Sequence, residues 1–159
     1  IAKVLSGASR EPLPDIVQHG DLQPNNIICR CGPCAKLTFI DWEYASMQGL
    51  PLIDLLHLLF MSVFYVKFRA KTEKQRFFQP LFALGQPLRM IDGKIFEDCF
   101  YKKNAASDLI AKHVDRYSRA LNLSAASRHA LFLLYVLRHL SFNETFLSLS
   151  LEKGRPLNI

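Results

Sequence analysis

Short apolar pairs separated by polar loops open the chain, and long apolar stripes fill the rest of it. Ile16-Val17 and Ile27-Ile28 each read as a short buried strand, with a polar loop between them. Lys36 to Ile40 reads as a third strand, reached across a turn at Gly32-Pro33. Ahead of these, Ile1 to Pro14 reads as a helix remnant and a loop, with Pro12-Leu13-Pro14 extended on entry to the first strand. Trp42 to Leu50 reads as a loop, and Pro51 as the start of a helix, where its missing N–H costs least. Leu52, Leu55, Leu56, Leu58, Leu59 and Val63 lie nearly all round that helix, which predicts burial.

Thr72 reads as the cap of a second amphipathic helix that ends at Gly85-Gln86-Pro87. Ile91 to Lys94 reads as a turn. Leu109, Ile110, Val114, Tyr117 and Leu121 stripe a helix over Ser107 to Leu121. Ser124 caps a last long helix, strongest from Ala130 to Phe142, in which Leu131 to Leu137 is expected to be buried. These elements predict an α+β fold that is mostly α: a small hairpin-like sheet followed by four or five helices.

The length of 159 residues suits one domain with one core, residues 1–159. Half the residues are hydrophobic and about a fifth charged, which excludes a disordered chain. The run from Leu50 to Val66 falls short of the roughly 20 apolar residues of a membrane span and contains Asp54 and His57. The chain opens on Ile1 without a basic-then-apolar leader, and a cytoplasmic setting is expected. A formal charge of +6 raises nucleic acid as a partner, but the basic residues are scattered and no recognition motif accompanies them. A solvated basic face is expected instead. Cys29, Cys31 and Cys34 flank Gly32-Pro33, and the spacing reads as a hairpin turn rather than a zinc ribbon.

Candidate chemistry gathers between His19 and Glu43. Asp21 offers a carboxylate, Asn26 a neutral amide oxygen and Asp41 a second carboxylate. A hard cation such as magnesium takes oxygen ligands and needs only one or two carboxylates besides phosphates and water. Asn26 and Asp41 suit that role, and Asp21 is then left to accept a proton. An Asp at a strand end or an Asn in a turn is also common for conformational reasons alone. Asp54, in the first turn of an apolar helix, is stabilised there by the helix dipole and free N–H groups and is expected to be structural support rather than a ligand, and His57 to be a hydrogen-bonded core histidine.

His19-Gly20-Asp21-Leu22 with Asn26 has the His-x-Asp-x-x-x-x-Asn interval of kinase catalytic loops. With Phe39-Ile40-Asp41-Trp42-Glu43-Tyr44-Ala45, it resembles the aminoglycoside phosphotransferase and choline kinase-like family. The resemblance covers His19 to about Leu59; Gln23 departs from it, standing where many relatives carry His. It implies the carboxy-terminal lobe of a protein-kinase-like fold. It implies Asp21 as catalytic base, His19 as support of the loop, Asn26 and Asp41 as magnesium ligands, and ATP as phosphoryl donor to a small-molecule hydroxyl. Asp54 would tie its helix to the loop. Trp42, Glu43 and Tyr44 are candidate substrate contacts, the aromatic pair for a quaternary ammonium; Glu97, Asp98, Asp108 and Asp115 are candidate acids for an aminoglycoside. Only eighteen residues precede His19, and no Gly-rich phosphate loop is present. A missing amino-terminal lobe is therefore expected, with negligible activity for this stretch alone. The competing expectation is a non-catalytic binding module that has lost its nucleotide site.

Overall fold

The computed structural model describes residues 12–30, 36–75 and 93–142. Four strands come first: β1 (Ile16–Gln18), β2 (Ile27–Arg30), β3 (Lys36–Phe39) and β4 (Ser46–Gly49). Four helices follow: α1 (Ile53–Gln75), α2 (Gly93–Phe100), α3 (Ala105–Ala120) and α4 (Ala125–Phe142). The protein is thus α+β and mostly helical, with two small antiparallel sheets.

β2 and β3 form a regular ladder from Ile27 opposite Phe39 to Arg30 opposite Lys36. β1 instead pairs with β4, a strand within the stretch expected to be loop. Ser46-Met47-Gln48-Gly49 has no apolar alternation to announce a strand; what holds it is the ladder to β1. A Cβ at Gly49 would fall on the Gln18 side chain, so the two strands approach this closely only because Gly49 has none. Gln18 Oε1 then accepts from the Leu50 N–H at 3.0 Å. The expectation of buried strands does not hold: Val17, Ile28 and Leu37 are each about half exposed.

α1 is the spine of the helical part. Pro51 lies one residue outside it, because Leu52, at φ 68, supplies the first capping carbonyl, which accepts from the Leu56 N–H at 2.8 Å. Phe60, Met61 and Phe64 pack on Ile95, Cys99 and Ile110 of α2 and α3. Leu52, Ile53 and Leu56 pack on Leu131 and Tyr135 of α4. Full burial of such side chains contributes roughly 1.5–3 kcal/mol each. Burial also pushes the Cys99 thiol up to about 11. Leu134 and Leu137 remain exposed, so the run in α4 is buried along one stripe rather than throughout.

Two further expectations fail on boundaries. Thr72 starts no helix, since α1 runs unbroken through it to Gln75. Gly93 and Lys94 are not a turn but the start of α2. α3 begins at Ala105, two residues before the expected start at Ser107, because Asn104 caps it, accepting from the Ala106 and Ser107 N–H groups. Ser124 caps α4 as expected, its Oγ accepting from the Ser127 N–H at 3.1 Å. The remainder of the amphipathic stretch after Gln75, the residues before Pro12 and the Cys31–Cys34 turn lie outside the described residues. Among the described residues, no helix is long and apolar enough to cross a membrane.

Candidate functional site

The segment between β1 and β2 is held from several sides. Asp54, in the first turn of α1, accepts from the N–H of His19 at 2.5 Å and of Gly20 at 3.1 Å. A carboxylate there is also favoured by the positive end of the helix. Arg138 of α4 donates to the Gly20 carbonyl at 2.5 Å. Gly20 itself stands at φ 87, and a Cβ would run into the Tyr44 carbonyl. His19 is buried. Its Nε2–H donates to the Ile40 carbonyl at 2.8 Å, and Nδ1 faces the Asp21 N–H at 3.4 Å. One imidazole thus bridges the loop to the end of β3, with the Trp42 ring 4.6 Å away on its flank.

These braces present the Asp21 carboxylate with donors on both oxygens. Oδ2 accepts from Gln23 Nε2 at 2.9 Å and from Asn26 Nδ2 at 3.2 Å. His57 Nε2 lies 3.3 Å from Oδ1. Gln23 is fixed in turn by Tyr65 of α1, whose hydroxyl donates to Gln23 Oε1 at 3.0 Å and accepts from Asn25 Nδ2 at 2.9 Å.

Asn26 closes a single 3-10 turn, Pro24–Asn26. Its nitrogen is committed to Asp21, donating to the backbone carbonyl at 2.8 Å as well as to the side chain. The amide oxygen is therefore the atom left for a cation. The ladder of β2 and β3 extends by one bond, Ile40 N–H to the Asn26 carbonyl at 3.0 Å, which brings Asn26 and Asp41 to the same end of the hairpin. Asp41 is exposed, stands at φ 66, and accepts no hydrogen bond from the described residues. An amide oxygen and an uncommitted carboxylate fit the oxygen-only preference of magnesium. Among the described residues there is no cluster of three or more His, Cys, Asp or Glu that suits a metal.

Beside Asp21 opens a cleft of about 350 Å³, within the range of small-molecule sites. Asp21, Gln23, Tyr44, His57, Tyr135 and Arg138 are among its lining residues. The Tyr135 hydroxyl is buried without a hydrogen-bond partner among the described residues, and burial pushes its pKa strongly up.

A family model described as the APH phosphotransferase enzyme family matches residues 5–87, just over half of the 159 residues. The chain belongs to this family. No curated protein and no solved structure matches it. Within the APH match lie both sheets and α1; α2, α3 and α4 lie beyond it. The far wall of the cleft, with Tyr135, Arg138 and His139, thus comes from outside the matched segment.

Of the residues singled out from sequence, His19, Asp21, Asn26 and Asp54 join one hydrogen-bonded group. Tyr44 lines the cleft; Trp42 does not, its Nε1–H donating to the Phe39 carbonyl at 2.9 Å. Glu43 is exposed, and its charge pushes the Tyr44 phenol up. Glu97, Asp98 and Asp115 pair with Lys102, Lys67, Arg119 and Arg128 on the helices and do not line the cleft. His57, Tyr135, Arg138 and His139 were not expected at the site. Arg138-His139 inside an apolar run was the available signal, since polar groups on a buried face need a reason.

Proposed function

We propose that this APH-family chain carries the catalytic and metal-binding loops of an ATP-dependent, kinase-like phosphotransferase whose acceptor is a small-molecule hydroxyl. The observation that carries this reading is the convergence on one side chain. Asp21 meets a ligand-sized cleft on one side and the Asn26 amide on the other. Asp21 accepts the acceptor hydroxyl's proton as that oxygen attacks the γ-phosphorus, and His19 and Asp54 hold the loop that aims it. Asn26 and Asp41 would hold magnesium through oxygen atoms. Bound there, magnesium neutralises charge on the phosphate oxygens. The remainder of a kinase-like lobe, and a nucleotide clamp supplied by further chain, belong to the same proposal.

The cleft also favours an acceptor class. Among the described residues that line it, the carboxylates are Asp21 and Asp54; the second is already occupied by two backbone N–H groups, and Arg138 adds a positive charge. A polycationic aminoglycoside needs several carboxylates to replace its water, so a compact acceptor with at most one positive charge is the better fit.

Two isosteric variants of the full-length protein, with the chain that supplies the nucleotide clamp, test the division of labour. Asp41→Asn is expected to weaken both magnesium-ATP binding and turnover. Asp21→Asn is expected to leave ATP affinity nearly intact and lower kcat by roughly 10²–10⁴-fold, the loss typical of a positioned general base. Titration of ATP and steady-state kinetics read both. Equal loss of ATP affinity in the two variants, or an unchanged rate in Asp21→Asn, contradicts the assignment; no transfer above background in the parent favours the non-catalytic module.

A further inference from the structure

His57 lies three residues beyond Asp54 on α1, so both point from one face of the helix toward the same loop. Asp54 holds the loop backbone, and His57 meets its carboxylate. With Gln23 and Asn26 on Oδ2 and His57 on Oδ1, the Asp21 carboxylate is restrained against rotation from both sides. The imidazole is itself held by the edge of Tyr135, with ring centroids 6.4 Å apart.

We infer that His57 is a positioning residue: by donating its Nε2–H to Asp21 Oδ1, it sets which lone pair of Asp21 faces the acceptor hydroxyl. The inference rests on Asp21 being the base. In the transfer, the acceptor oxygen forms its bond to phosphorus as the bond to the departing ADP oxygen breaks. The acceptor's proton goes to Asp21, and His57 keeps its own proton throughout.

The surroundings of the ring suit a neutral donor. Asp21 from the loop, Asp54 from α1, and Arg138 and His139 from α4 are the charged or titratable groups that act on it. Burial, the largest influence, lowers the His57 pKa; the carboxylates oppose it and Arg138 adds to it. A protonated ring beside the base would stabilise the carboxylate and blunt its affinity for a proton. A neutral one orients without that cost.

Kinetics and imidazole spectra of the full-length protein, with its nucleotide-binding part present, test this together. The probe reaction is magnesium-ATP turnover with water as the acceptor. His57→Phe keeps a ring and removes the donor, and His57→Gln keeps an N–H close to the Nε2 position. The expected result is a roughly 10²-fold lower kcat for His57→Phe, with KM for ATP unchanged and most of the rate restored in His57→Gln. Equal losses in both, or none in His57→Phe, overturn the inference. In nitrogen-15 histidine spectra, His57 is expected as the Nε2–H tautomer, with a titration midpoint that drops in Asp21→Asn. An unprotonated Nε2 at neutral pH, or an unmoved midpoint, overturns it as well. Turnover that ignores Asp21 sinks the base assignment itself, while the spectra decide the His57–Asp21 pair independently.

Discussion

Gly20 carries three constraints at once: its N–H serves Asp54, its carbonyl serves Arg138, and its missing Cβ leaves room for the Tyr44 backbone. Gly20→Ala is expected to destabilise the protein by at least the roughly 1–2 kcal/mol that a left-handed backbone costs an ordinary residue. Because the clash is with backbone, the loop has to shift and turnover should fall further than stability. Denaturant titration with kinetics at saturating ATP checks both. At this scale much was legible in sequence. The His19, Asp21 and Asn26 interval is local, and local spacing survives folding. His57, Tyr135, Arg138 and His139 were not legible as site residues, because helix packing, not spacing, brings them to Asp21.

Helix existence was readable from apolar stripes, and helix ends were readable only where a capping side chain stood at the expected place. Ser124 met that condition. Asn104 was missed, although its side chain and Ser107 complete a capping box at the head of α3. Asn104→Ala is expected to cost about 0.5–2 kcal/mol, the usual loss for a cap. Since α3 does not line the cleft, turnover below the melting transition should not change. Thermal denaturation of the variant beside the parent reads the difference. Thr72 shows the converse: a residue type that can start a helix stands inside one that continues through it. β4 was invisible for a third reason, its pairing partner being thirty residues earlier in β1.

The whole molecule should respond to acid through two half-buried histidines, His57 and His139. His139, packed among Phe60, Phe96 and Tyr135, is pushed down to about 4 from an ordinary 6.5, by burial first and then by His57. His57 is lowered in the same direction. Between those pH values the unfolded chain binds a proton at position 139 that the folded chain refuses. Stability is thus complete above about 6.5, falls as the pH drops, and loses nothing more from this group below about 4. The His139 share is about 3 kcal/mol, taking 1.36 kcal/mol per pKa unit. Urea midpoints across this range should show the slope, and His139→Phe should flatten it. A parallel slope in the variant means that His139 does not produce it, and that His57 or the carboxylates do.

The bond from Arg138 to the Gly20 carbonyl spans 118 residues of chain. On the ribosome, the loop bearing Asp21 is made early and waits for α4 before that brace exists. At about 5–20 residues per second the interval is roughly 6–24 seconds. Until then the nascent protein has the Asp21 loop without the Tyr135 and Arg138 side of the cleft. The wall of the cleft that α4 supplies is thus the later-made part of it.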